Sequence, residues 1–205
     1  MREETRANRE MQIINAATQV FAKKGIDNTT MQDIATEVGF GVATVFRFFQ
    51  KKEKLIVAVA TKGLQDIHQQ FAEIAELQIS AYAKLELLLD TFIMQLESQH
   101  PINVIIRENF LSYLTHAEGK IEDMSKYNEV YRKISAIYAS IIAQGQLDQS
   151  IRADQNIMST IISAFGIFAN RLSLHQKYIL VDNDLPPLEQ LQILKRIFLA
   201  VIRPV

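Results

Sequence analysis

The sequence predicts an all-α protein, on three observations. The four prolines are Pro101, Pro186, Pro187 and Pro204, so nothing in the first hundred residues interrupts a helix at proline. Apolar residues recur at spacings of three and four, with no sustained alternation at two. Nowhere do β-branched residues cluster between turn signals.

The elements follow in order. A first helix over residues 7–24 places Ile13, Ala17, Val20 and Phe21 on one face and stops at Gly25. The second begins at Thr30, whose hydroxyl caps it while Asp33 completes a capping box, and turns Ile34, Ala35 and Val38 inward. Gly39-Phe40-Gly41 breaks it, and a short third helix covers residues 42–48. The cluster Lys51-Lys52-Glu53-Lys54 opens a long fourth helix reaching about residue 77. Five more are expected over residues 81–98, 102–114, 121–144, 155–174 and 187–202, with a linker over 176–186 and Pro187 in the first turn of the last helix. Three short helices thus precede six longer ones.

Composition bounds the function. With 48% hydrophobic and 22% charged residues, the chain has the make-up of a folded globular protein. Its net charge of −1 gives no overall hint of a polyanionic partner. Residues 1–54 hold nine Lys/Arg and seven Asp/Glu, and residues 55–205 thirteen and sixteen, or +2 and −3. The absence of cysteine excludes disulfides, thiolate metal sites and a cysteine nucleophile. The charged residues 1–10 contain no secretory signal, and the most apolar run, residues 157–169, is too short to span a bilayer, so a cytoplasmic protein is expected.

Residues 30–49 supply the parts of a helix-turn-helix: a first helix, a tight glycine-containing turn, and a second helix whose side chains reach the major groove. Their residues also resemble a family. Thr29-Thr30-Met31-Gln32-Asp33-Ile34-Ala35, Val38-Gly39-Phe40, Thr44-Val45-Phe46-Arg47-Phe48-Phe49 and Lys52-Glu53-Lys54-Leu55-Ile56 together are similar to the TetR (tetracycline-repressor-like) family of bacterial transcriptional regulators, over residues 7–58. The resemblance implies a DNA-binding domain over residues 1–50, and over 51–205 a six-helix domain that binds a small ligand and dimerises. It implies a regulator that binds a palindromic operator as a homodimer, read first as a repressor with an activator as the other reading, and with no cofactor and no enzymatic activity.

Thr29, Thr30, Gly41, Val42, Ala43, Thr44, Phe46, Arg47, Lys51 and Lys52 are the expected DNA-binding residues. Thr30 sits where a helix N-terminus attracts phosphate, and Thr44 and Lys52 match family positions that contact phosphate. Arg47, the long cation of the recognition helix, suits a bidentate contact to guanine, with a phosphate contact as the other reading. Three positions depart from the family pattern: Gly41 stands for Ser, Ala43 for Gly and Phe46 for Tyr, each removing a polar handle or crowding the backbone. Phe49 is assigned to the core.

In the second domain, Ile161, Phe165, Phe168, Leu191, Leu194 and Phe198 are expected at a dimer interface built by the last two helices, intramolecular core being the other reading. Asn109, Tyr113, Tyr127, Tyr131 and Tyr138 suit a ligand pocket with aromatic walls, for a hydrophobic or aromatic effector, and suit equally an ordinary core. Two other readings compete with this one. Glu97-x-x-His100 has the spacing of a di-iron bundle, but no second pair exists among His68, His116 and His175, so no metal is expected. A protein-interaction module that has lost DNA binding is the alternative function, against which Arg47 and the Lys51-Lys52 pair argue.

Overall fold

A computed structural model describes residues 2–97, 102–117, 121–154, 156–174 and 185–204. Among them are nine helices: α1 (Arg2–Lys24), α2 (Met31–Val38), α3 (Val42–Phe48), α4 (Lys52–Ala75), α5 (Ala81–Glu97), α6 (Ile102–His116), α7 (Met124–Leu147), α8 (Ile157–Leu174) and α9 (Pro187–Ile202). The all-α expectation is met, and α3 and α9 have the expected bounds. α1 begins five residues earlier than expected, since no Gly or Pro between residues 2 and 6 interrupts it. α7 begins three residues later because Asp123 has φ 62°, a left-handed conformation that no helix accommodates. The linker expected over 176–186 lies, up to 184, outside the described residues.

The chain packs as two units. The first comprises residues 1–65 and 105–130, the second residues 66–104 and 131–205. Packing therefore divides the chain differently from a boundary at 50/51, which follows the DNA-binding motif alone.

In the first unit, Ile13, Ala17 and Phe21 of α1, Ile34 and Ala35 of α2, Val45 of α3 and Leu55 of α4 are buried. Phe110 of α6 joins them, its ring 5.2 Å from that of Tyr127. The Asn109 amide donates to the carbonyl of Phe21 at 3.2 Å, a second bond to an oxygen that already accepts from the Gly25 N–H at 2.9 Å, and ties α6 to α1.

The second unit is built on α5, α8 and α9, packed pairwise, with residues of α4 and α7. Five rings meet at its centre: Phe165 lies 4.6 Å from Tyr138, 6.0 Å from Phe198, 6.1 Å from Phe92 and 6.3 Å from Phe71. The buried Lys84 ammonium donates to the Ala75 carbonyl at 2.6 Å and to Gln144 at 2.7 Å, placing a cation on the C-terminal turn of α4, where the helix dipole favours it. Lys195 bridges α9 to Asp90 (2.7 Å) and Glu86 (3.1 Å) on α5.

Candidate nucleic-acid interface

The helix-turn-helix is shaped by its two caps. Thr30 is the N-cap of α2: its Oγ1 accepts from the Asp33 N–H at 3.1 Å and its own N–H donates to the Asp33 carboxylate at 2.9 Å. This is the expected capping box. A further contact was not legible in sequence: Lys24, nine residues earlier, donates to the other Asp33 oxygen at 2.7 Å. That bond, with those from the Thr30 N–H and hydroxyl, holds the Asp33 carboxyl well below the usual carboxylate range. At the other end Gly39 adopts φ 72°, which glycine tolerates without strain, and the Phe40 N–H returns to the Ala35 carbonyl at 3.0 Å. α2 is stopped there and α3 starts in a new direction.

α3 buries Val45, with Phe49 buried just beyond it as expected, and exposes Ala43, Phe46 and Arg47, with Gln50 after it. Val42 and Thr44 are half-buried. Phe46 is 44% exposed, a large apolar ring left on the outer face of α3, suited to contact with sugar or a thymine methyl. The Arg47 guanidinium rests 5.8 Å from the Phe48 ring centroid. No acidic residue occurs between Gly39 and Lys52, so this face meets a polyanion without local repulsion. Gly41, the N-cap of α3, has an ordinary φ of −64° and supplies no side-chain cap.

Three of the expected DNA-binding side chains have other work. Thr29 is 1% exposed and donates its hydroxyl to the Gly25 carbonyl at 2.7 Å, so it orders the α1–α2 turn and presents no hydroxyl to DNA. The Lys52 ammonium donates to the Ile26 and Thr29 carbonyls, at 3.0 Å each, and staples the same turn. Two of its three donors are thereby used. Lys51 pairs with Glu122 at 3.0 Å, and Lys54 with Asp123 at 3.1 Å and Glu122 at 3.8 Å. The bond from Lys51 lowers the Glu122 carboxyl, and Asp123 raises Lys54. No sequence signal joins these groups, which lie some seventy positions apart.

The five expected ligand residues are not brought to one place. Asn109 and Tyr113 line a polar cavity of about 260 Å³ in the first unit, with Asp27 and His116. Burial raises the Tyr113 phenol. Tyr127 packs at a tilt against Phe110, and Tyr131 is exposed. Tyr138 alone enters the ring cluster of the second unit, where burial pushes its phenol upward.

The expected interface residues also separate. Ile161, Phe165, Leu191 and Phe198 are buried within the chain's own second unit and form its core, with Phe198 also reaching the wall of an open groove. Leu194 is half-buried, and the Phe168 side chain lies outside the described residues. A different stripe faces outward. Ile167 of α8 is 54% exposed and Ile197 of α9 is 55% exposed, and with Ser163, Leu194 and Val201 they line an open apolar groove of about 470 Å³.

Among the described residues no group of three or more His, Asp or Glu is placed to hold a metal ion; His100 of the Glu97-x-x-His100 pair lies outside them. No described helix is long and apolar enough to cross a membrane.

A capped helix-turn-helix with an acid-free outer face, among nine helices in the described residues, defines a DNA-binding transcriptional regulator. Residues 13–59 match the family model for bacterial regulatory proteins of the tetR family. The transcriptional repressor KstR2 of Rhodococcus jostii is 24% identical over 152 residues, 74% of this chain and 72% of the relative. The fatty acid metabolism regulator protein of Bacillus subtilis is 22% identical over 175 residues, covering 83% and 87%. Among solved structures, the regulator FadR from Bacillus subtilis in complex with stearoyl-CoA superposes with a TM-score of 0.71 at 18% identity, over 94% of this chain and 99% of that one. The chain belongs to the TetR family of transcriptional regulators, and its relatives are regulators, not enzymes.

Proposed function

We propose that this protein is a dimeric repressor, acting in the cytoplasm, that binds a palindromic operator and is released by a lipid-derived, mainly apolar effector. The observation that carries the DNA-binding half is the outer face of α3, where Ala43, Phe46 and Arg47 are exposed and no acid intervenes. Arg47 reads a guanine edge; Gly41, Val42, Thr44 and the remaining donor of Lys52 hold the flanking backbone, while Thr30 keeps the start of α2 in place and Lys51 stays on Glu122.

A second copy of the chain covers the α8–α9 groove. Covering that groove on each copy by the other forms one isologous interface, and two recognition helices held about 34–36 Å apart then meet successive major grooves. An effector that binds better to a conformation with another spacing lowers operator affinity by shifting the population. The effector class is supported by the relatives, one named for fatty acid metabolism and one solved with stearoyl-CoA, and by the apolar, ring-rich interior of the second unit. Within that unit the Gln95 Oε1 atom is buried with no hydrogen-bond partner among the described residues, an acceptor that a polar group on the effector satisfies.

The test is a gel shift of the DNA upstream of the protein's own gene, with and without stearoyl-CoA. Arg47→Ala is expected to weaken binding there about 5- to 150-fold more than on random duplex, the worth of one bidentate base contact. Equal losses on both would remove Arg47 from sequence reading, and a complex indifferent to the acyl-CoA would remove that effector class.

A further inference from the structure

Beside the recognition helix the first unit opens a cleft of about 570 Å³ that no motif in the sequence announces. Its wall is formed by residues of α1, α3, α4 and the start of α7. Five cations line it, Arg6, Arg47, Lys54, Lys62 and Lys126, against two carboxylates, Glu10 and Asp123. The excess is three positive charges.

The cations differ in how they are compensated. Lys54 is held by Asp123 and Glu122. Arg6 and Lys126 form no ion pair among the described residues, and Arg47 is held by the face of Phe48. Glu10 lies one turn along α1 from Arg6 yet makes no ion pair with it. Arg47 and Gln50 belong both to this wall and to the outer face of α3, so the cleft continues the DNA-facing surface toward α1. The positive end of the α1 dipole adds to the same field.

Cations without carboxylate partners, continuous with a helix that enters the major groove, fit the sugar-phosphate strand bordering that groove. We propose that the mouth of this cleft receives a backbone phosphate of the operator flank, with Arg6 as its donor, so that the DNA footprint extends beyond the helix-turn-helix onto α1. The inference rests on the docking of α3 described above.

The test is the salt dependence of full-length protein binding to a labelled duplex from the upstream region and to a random duplex, by fluorescence anisotropy. Losing one phosphate contact lowers the slope of log K against log salt by about 0.9 per protomer. Relative to 1 M, that is ~8-fold weaker binding per protomer at ~0.1 M salt. Arg6→Gln is expected to show this loss equally on both duplexes, and Arg6→Lys, which keeps the charge, to retain the slope. An unchanged slope in Arg6→Gln overturns the proposal, as does a loss confined to the upstream sequence. If the unaltered protein binds neither duplex, the failure belongs to the reading of α3 and not to Arg6.

Discussion

The outward stripe of α8 and α9 gives the dimer a quantitative test at Ile197. Full burial of an Ile side chain contributes about 1.5–3 kcal/mol, and Ile197 stands 55% exposed in the single chain, so covering its free half is worth about 0.8–1.7 kcal/mol. A two-fold interface counts the residue twice, giving about 1.6–3.3 kcal/mol. Ile197→Ala should therefore raise the dimer dissociation constant ~15- to 250-fold, measured by sedimentation equilibrium. Its thermal transition at a concentration where both proteins are monomeric should stay near that of the parent, because the side chain lies outside the core. Phe165→Ala is the contrast. That ring is 3% exposed and touches four others, so its loss should cost about 3–5 kcal/mol of folding stability. A dimer constant unchanged in Ile197→Ala would refute the assignment of this stripe to the interface.

Two further perturbations address the first unit. The Asp33 carboxyl is depressed by Lys24 and by the Thr30 N–H and hydroxyl, so its contribution to stability is complete above the ordinary value of 3.8 and is lost as pH falls below it. Asp33→Asn should melt below the parent at neutral pH, with the gap closing in acid; a gap independent of pH, followed by circular dichroism, would assign the effect to shape and not charge. Glu122→Gln removes the acid that holds Lys51 at 3.0 Å. Binding to any duplex should tighten and the salt slope steepen by about 0.9 per protomer as Lys51 turns to phosphate; weaker binding would mean that the ion pair orders Lys51 for DNA.

Local punctuation made the helix-turn-helix legible. Thr30 with Asp33 marks the start of α2, Gly39 its end, and Val45 with Phe49 the buried side of α3, all within four-residue windows where the backbone alone decides. The outer helices were harder. α8 is apolar over a broad arc, and Ile162 lies about 100° around the helix from Ile161 and about 60° from Phe165. Periodicity finds both stripes and cannot say which faces the chain's own core. The small residues held the clue, because Ser159, Ser163 and Ile167 share a stripe at four-residue spacing and line the open groove together. Ion pairs between distant segments, such as Lys51 with Glu122, leave no pattern in sequence at all.

The α1–α2 turn shows why chemistry assigned by position needs the backbone. Thr29 and Thr30 are neighbours with the same hydroxyl, yet one closes a turn onto Gly25 and the other caps α2. Asp33, needed for that cap, sets a negative charge beside the place where a phosphate is expected. Lys24 neutralises it directly at 2.7 Å, and Lys52, fixed on the Ile26 and Thr29 carbonyls, adds a second cation to the turn. With Asp27 in the same turn the local sum is zero, so the proposed phosphate contact rests on the third donor of Lys52 and not on a net charge of the turn. On that proposal the lysine staples the turn with two donors and meets DNA with the third.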